Sequence, residues 1–261
     1  MNQRQTSKKS GTKNTKGISY YALTRNGFYS FTSTLPLLII YQIMAFYLTR
    51  SFLNANRSVA EFWLVGIFSL LGTPGFILLG LIGAGLIVYF YMQKKTKNIP
   101  VIKYFYLLMF LESIIYSFFL GAVVIRILKL FNPVNSVDFG FPQSKWQSIM
   151  LSLGAGYFEE LLFRVILYGG ILAAIFYTAE KLKPKSSLKA FRWISMAIIG
   201  TLTSVLFALA HHIGGEAFTF YAFLFRTISG IIFVILYQVR GFGVAAYTHA
   251  LYDLWIVIEA I

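Results

Sequence analysis

Gly154-Ala155-Gly156-Tyr157-Phe158-Glu159-Glu160-Leu161-Leu162-Phe163-Arg164 sets three ionisable side chains inside a run that otherwise reads as membrane-buried helix. A charged group near the bilayer centre costs roughly 2.5–3.5 kcal/mol on insertion scales, so such residues are paired, face a watery cavity, or do chemistry. Spacing separates the three. Glu160 and Arg164 are four apart and share a helix face, as an ion pair requires. Glu159 lies about 100° further round and is left without a local partner. The reading is that Glu160 and Arg164 are scaffold, and that Glu159 is the reactive carboxylate.

Working outward, the whole chain has the same character. Of its 261 residues 57% are hydrophobic and only 12% charged, with mean hydropathy +0.69; soluble domains carry about 25% charged residues. The fold class is therefore all-α, a polytopic transmembrane helix bundle forming one membrane domain over residues 27–261, preceded by a polar, basic, disordered tail over 1–26. About seven spans are expected, within a range of six to eight: 31–48, 62–92, 104–128, 149–178, 194–212, 218–238 and 242–261. The second is interrupted at Gly72-Thr73-Pro74-Gly75, which can separate an interfacial helix from a true span. The stretch 129–147, with Asn132-Pro133 and Gly140-Phe141-Pro142, reads as a turn-rich connection.

The net charge of +14 does not indicate nucleic acid. Its basic residues sit in the tail and in short loops between apolar runs, where they set orientation and attract anionic lipid. Placing the tail, Lys94 to Lys103, Lys181 to Arg192 and Arg240 on one side leaves Arg50, Arg57, Lys129 and Lys145 on the other. The N-terminus is thus expected to be cytoplasmic. With no cysteine, disulfides and thiolate chemistry are excluded.

All three histidines fall in the last third of the chain. Phe207 precedes His211 by four residues and can pack beneath its ring; His249 and Asp253 share a face at the same spacing. A lone helical histidine is often a hydrogen-bonded core residue. Leaving Glu159, Glu160, Arg164 and Asp253 unpaired in lipid, however, would cost roughly 10 kcal/mol, comparable to the net stability of a typical domain. These groups are therefore expected to converge on one buried polar site. His212 points away from it and reads as interfacial, while Glu112, Arg126 and Arg226 read as buried ion-pair partners.

Glu-Glu-x-x-x-Arg at 159, 160 and 164, Phe-x-x-x-His at 207 and 211, and His-x-x-x-Asp at 249 and 253, in this order on three spans, resemble the CAAX protease and bacteriocin-processing (CPBP, or Abi) family of intramembrane proteases. The resemblance covers roughly 149–256. It implies an endopeptidase in which Glu159 activates water with help from His211, His249 and Asp253 stabilise the oxyanion, and Glu160, Arg164 and Phe207 give support. An ionised Asp253 would repel an oxyanion, so it is either protonated or orients His249.

The resemblance implies no cofactor; were zinc bound, Glu159, His211 and His249 would be its ligands. The implied substrate is a membrane-associated peptide or protein, and the implied setting a bacterial plasma membrane. Two other readings remain open: a catalytically silent membrane partner or immunity protein, and the proton or ion relay of a transporter.

Overall fold

The computed structural model describes residues 19–49, 58–128, 144–182, 188–213 and 217–259. All elements among them are helical: α1 (Tyr20–Thr24), α2 (Gly27–Thr49), α3 (Val59–Ser69), α4 (Thr73–Thr96), α5 (Lys103–Leu128), α6 (Lys145–Gly154), a π-helical segment (Ala155–Gly169), α7 (Gly170–Leu182), α8 (Leu188–Ile213), α9 (Phe220–Arg240) and α10 (Phe242–Glu259). By length and composition, six helices among these residues can cross a membrane. They are Gly27–Leu48, Thr73–Thr96, Lys103–Val124, Lys145–Leu182, Leu188–Ile213 and Phe220–Arg240. This is a multi-pass helical membrane protein.

The expected span boundaries need four corrections. The run 62–92 is two helices: α3 is a short apolar helix, and the break at Gly72 to Gly75 starts the true span α4. The last run, expected as a seventh span, is likewise a shorter apolar helix over Phe242–Ile258. The tail expected over 1–26 falls mostly outside the described residues, but Tyr20–Thr24 is ordered as α1 with Thr24 buried. The connection expected over 129–147 lies outside them up to residue 143, and Lys145 already begins α6. Arg50, Arg57 and Lys129 also lie outside the described residues.

Short as it is, α10 forms the centre of the bundle, in contact with α2, α5, α6, α9 and the π-helical segment. Its Val244, Ala245, Ala246 and Ala250 are almost wholly buried, and this run of small side chains lets neighbouring backbones come close. One such approach is at Gly156, where an added Cβ would stand 2.6 Å from the Ala246 carbonyl oxygen and from Ala250. No residue with a side chain fits there. The missing methyl seats the π-helical segment directly against α10, which brings Glu159 and Glu160 level with His249.

Candidate active site

α6, the π-helical segment and α7 run without a break as one 38-residue helix from Lys145 to Leu182. Its middle is wound with hydrogen bonds to i+5 rather than i+4, a form usually limited to single turns and frequent at functional sites. Glu159, Glu160, Phe163 and Arg164 are all buried on this segment.

The expected pair forms: Arg164 Nε is 3.2 Å from Glu160 Oε2, and both side chains are essentially inaccessible. The Arg164 guanidinium carbon also lies 4.4 Å from the Phe207 ring centroid, 5.4 Å from Phe233 and 5.9 Å from Phe163. Cation–π attraction of this kind strengthens on desolvation. Phe207 thus supports Arg164 as well as His211, whose ring it meets edge-on at 4.7 Å.

Both imidazoles are fixed through Nδ1. His211 Nδ1 is 2.8 Å from the Phe207 carbonyl oxygen, which can only accept, so Nδ1–H donates. His249 Nδ1 is 2.8 Å from Glu160 Oε1. The other oxygen of Glu160 faces Arg164, so here too Nδ1–H is the donor. Glu160 therefore does more than pair with Arg164: it orients His249, the task assigned above to Asp253 as one of two options. Asp253 sits on the opposite side of that ring, with Oδ2 3.5 Å from Nε2.

Both Nε2 atoms then turn toward one oxygen. Glu159 Oε2 is 3.6 Å from His211 Nε2 and 3.8 Å from His249 Nε2. It is buried and has no hydrogen-bond partner among the described residues. These separations exceed a direct hydrogen bond, and contacts of that length between polar groups are commonly completed by water. A narrow pocket reaches Glu159 and His211, walled by Val59, Ala60 and Trp63 of α3 with Phe163 and Ala210.

Several groups near the site carry no sequence signal of their own. Phe233 of α9 stacks on His249 at 4.5 Å with 20° between the planes, and an isolated Phe in an apolar run does not show which ring it covers. α3 was invisible as a wall because no charged motif marks it. Arg226, expected as a buried ion-pair partner, is half-buried on α9.

Other expectations divide. Glu112 is a half-buried ion-pair partner whose cation is Arg240, at 2.5 Å; Arg240, expected in a loop, is 1% exposed. Arg126 is exposed rather than buried. His212 packs on Phe218 at 4.9 Å, away from Glu159. Among the described residues no three or more His, Cys, Asp or Glu side chains stand in a metal-holding arrangement.

Residues 141–255 match the family model described as Type II CAAX prenyl endopeptidase Rce1-like. The matched stretch holds α6, the π-helical segment, α7, α8, α9 and most of α10, and it agrees with the CPBP resemblance. Neither the curated proteins nor the solved structures give a match to the chain.

Proposed function

We propose that the protein is an intramembrane endopeptidase of the Rce1-like type, hydrolysing a peptide bond in a membrane-associated peptide or protein. The observation that carries this reading is Glu159 Oε2, buried, unpartnered and faced by the Nε2 atoms of two oriented imidazoles. With that oxygen 3.6 and 3.8 Å from the two Nε2 atoms, one water can bridge them and lose its proton to the carboxylate.

In this mechanism a water donates one hydrogen bond to Glu159 and the other to the free Nε2 of His211. As its oxygen bonds to the peptide carbonyl carbon, its proton passes to Glu159. The carbonyl π bond opens onto oxygen, and His249 in its doubly protonated form donates from Nε2 to that oxyanion. Fixed donors in a site shielded from water are worth most for developing charge. Asp253, whose Oδ2 lies 3.5 Å from that same Nε2, acts in its protonated form in this reading, so that it does not repel the oxyanion. Collapse of the intermediate restores the carbonyl and breaks the C–N bond, and Glu159 returns the proton to the leaving nitrogen. No step uses a metal.

The setting we propose is a plasma membrane with the N-terminus cytoplasmic and basic loops against anionic lipid. The test is purified full-length protein in liposomes, with unmodified apolar peptides and prenylated peptides ending in a CAAX sequence. Cleavage is expected from the wild type, with or without chelator, and not from Glu159→Gln or His211→Ala. Equal cleavage by Glu159→Gln would overturn the assignment.

A further inference from the structure

The groups proposed for bond cleavage all lie within the segment that matches the family, residues 141–255. The wall facing them across the pocket does not. It is built by α3, nearly eighty residues upstream, with Val59, Ala60 and Trp63 opposite Glu159 and His211. Ala60 is 2% exposed, and Trp63 packs on the cluster of Phe163, Phe207 and Ala210. Anything lodged in this pocket has an apolar surface on one side and the Glu159 carboxylate on the other.

α3 is held in place rather than free to swing. At its start Ser58 Oγ caps the Glu61 N–H at 3.2 Å, and buried Glu61 accepts a hydrogen bond from Tyr41 of α2. At its end Gly75 sits so close to the Phe68 carbonyl that no Cβ can be accommodated. The turn into α4 is thereby locked. Glu61 points toward α2 while Ala60 and Trp63 point toward the pocket, so anchoring and lining are divided between neighbouring residues.

On the reading of the site as a peptidase, we propose that α3 is the specificity wall: Ala60 and Trp63 select a small aliphatic side chain next to the bond that is cut. Trp63 is the largest of the side chains that line this narrow pocket, so its indole bounds the room left for a substrate residue. In apolar pockets one methylene more or less is worth about 10–200-fold in kcat/KM, enough for one indole to decide between alanine and leucine.

The experiment is a mixed apolar peptide library incubated with the reconstituted full-length protein, cleavage points being read by mass spectrometry. The wild type is expected to cut beside Gly, Ala or Val. Trp63→Ala should raise the Leu and Phe share at that same position by about tenfold or more. Ala60→Leu, which narrows the pocket from the other side, should restrict it toward Gly, and Trp63→Phe should fall between wild type and Trp63→Ala. Opposite shifts for enlarged and narrowed pockets are not produced by partial unfolding, which lowers all cleavage alike. An unchanged residue distribution in all three variants, with the library still cut, would overturn the proposal while leaving the peptidase reading intact. No cutting by the wild type would overturn both.

Discussion

Two clusters of ionisable residues are sunk in this bundle, and they are finished differently. Around Glu112 both carboxylate oxygens are bonded twice. Its Oε1 accepts from Tyr116 at 2.8 Å and from Arg240 Nε at 2.5 Å; its Oε2 accepts from Tyr20 at 2.8 Å and from Arg240 Nη2 at 2.6 Å. Nη2 also donates to Thr24 Oγ1 at 3.2 Å, and the Arg240 guanidinium lies over the rings of Tyr20 and Tyr21. Around Glu159 the neighbours are bonded and the carboxylate is not: His211 is tied to Phe207, and His249 to Glu160. The first cluster joins α1, α5 and α9 into one body. The second spends its hydrogen bonds on orienting the groups around an oxygen that stays open. Charge within the bundle is common to both, and on the proposed function the distribution of hydrogen bonds is what separates the structural carboxylate from the one offered to a substrate.

That contrast can be broken from either side. The largest effect is expected from Glu159→Gln, which keeps size and burial but removes the base. Cleavage in the liposome assay should fall by about 10⁴-fold, the upper range for general base catalysis, with the thermal midpoint unmoved. Glu112→Ala should do the reverse. It strands a buried guanidinium, which costs about 3–5 kcal/mol of stability, measurable as a lower denaturation midpoint in detergent, while the molecules still folded keep their cleavage rate.

Glu160→Gln sharpens the comparison, because Glu160 belongs to both kinds: paired with Arg164 and bonded to His249. It should lower kcat by about 10²-fold, the low end for a misoriented acid–base group, and also lower the denaturation midpoint. Loss of stability alone would assign it to the structural side. The smallest effect is expected from Tyr20→Phe, which removes one hydrogen bond to Glu112 and should cost about 1 kcal/mol in the same unfolding measurement.

Much of this was legible in the chain itself, and the limits have physical reasons. Apolar run lengths show spans because the bilayer has a fixed thickness, and i,i+4 spacing shows pairs such as Glu160–Arg164 because helix geometry is local. Convergence of Glu159, His211 and His249 follows from the cost of stranding charge in lipid. Partners on other helices are different. That Glu112 meets Arg240, or that Glu160 reaches His249 as well as Arg164, depends on how α5, α9, α10 and the π-helical segment are seated. Nothing in the local pattern of Arg240, at the end of an apolar run, distinguishes a buried cation from a loop residue at the membrane surface. The walls are least legible of all, since Trp63 and Phe233 look like any aromatic in a hydrophobic helix.

The loose winding between Ala155 and Gly169 also bears on how this chain tolerates changes in length. The register in which Arg164 meets its aromatic rings beyond the two glutamates holds only while that coil keeps its i+5 winding. Deleting one residue there would invite the tighter i+4 spiral, swinging everything beyond the cut about the helix axis and detaching Arg164 from its three aromatic rings. Substitutions at many lipid-facing positions of the same stretch would be absorbed quietly. Here the number of residues is under stricter control than their identity.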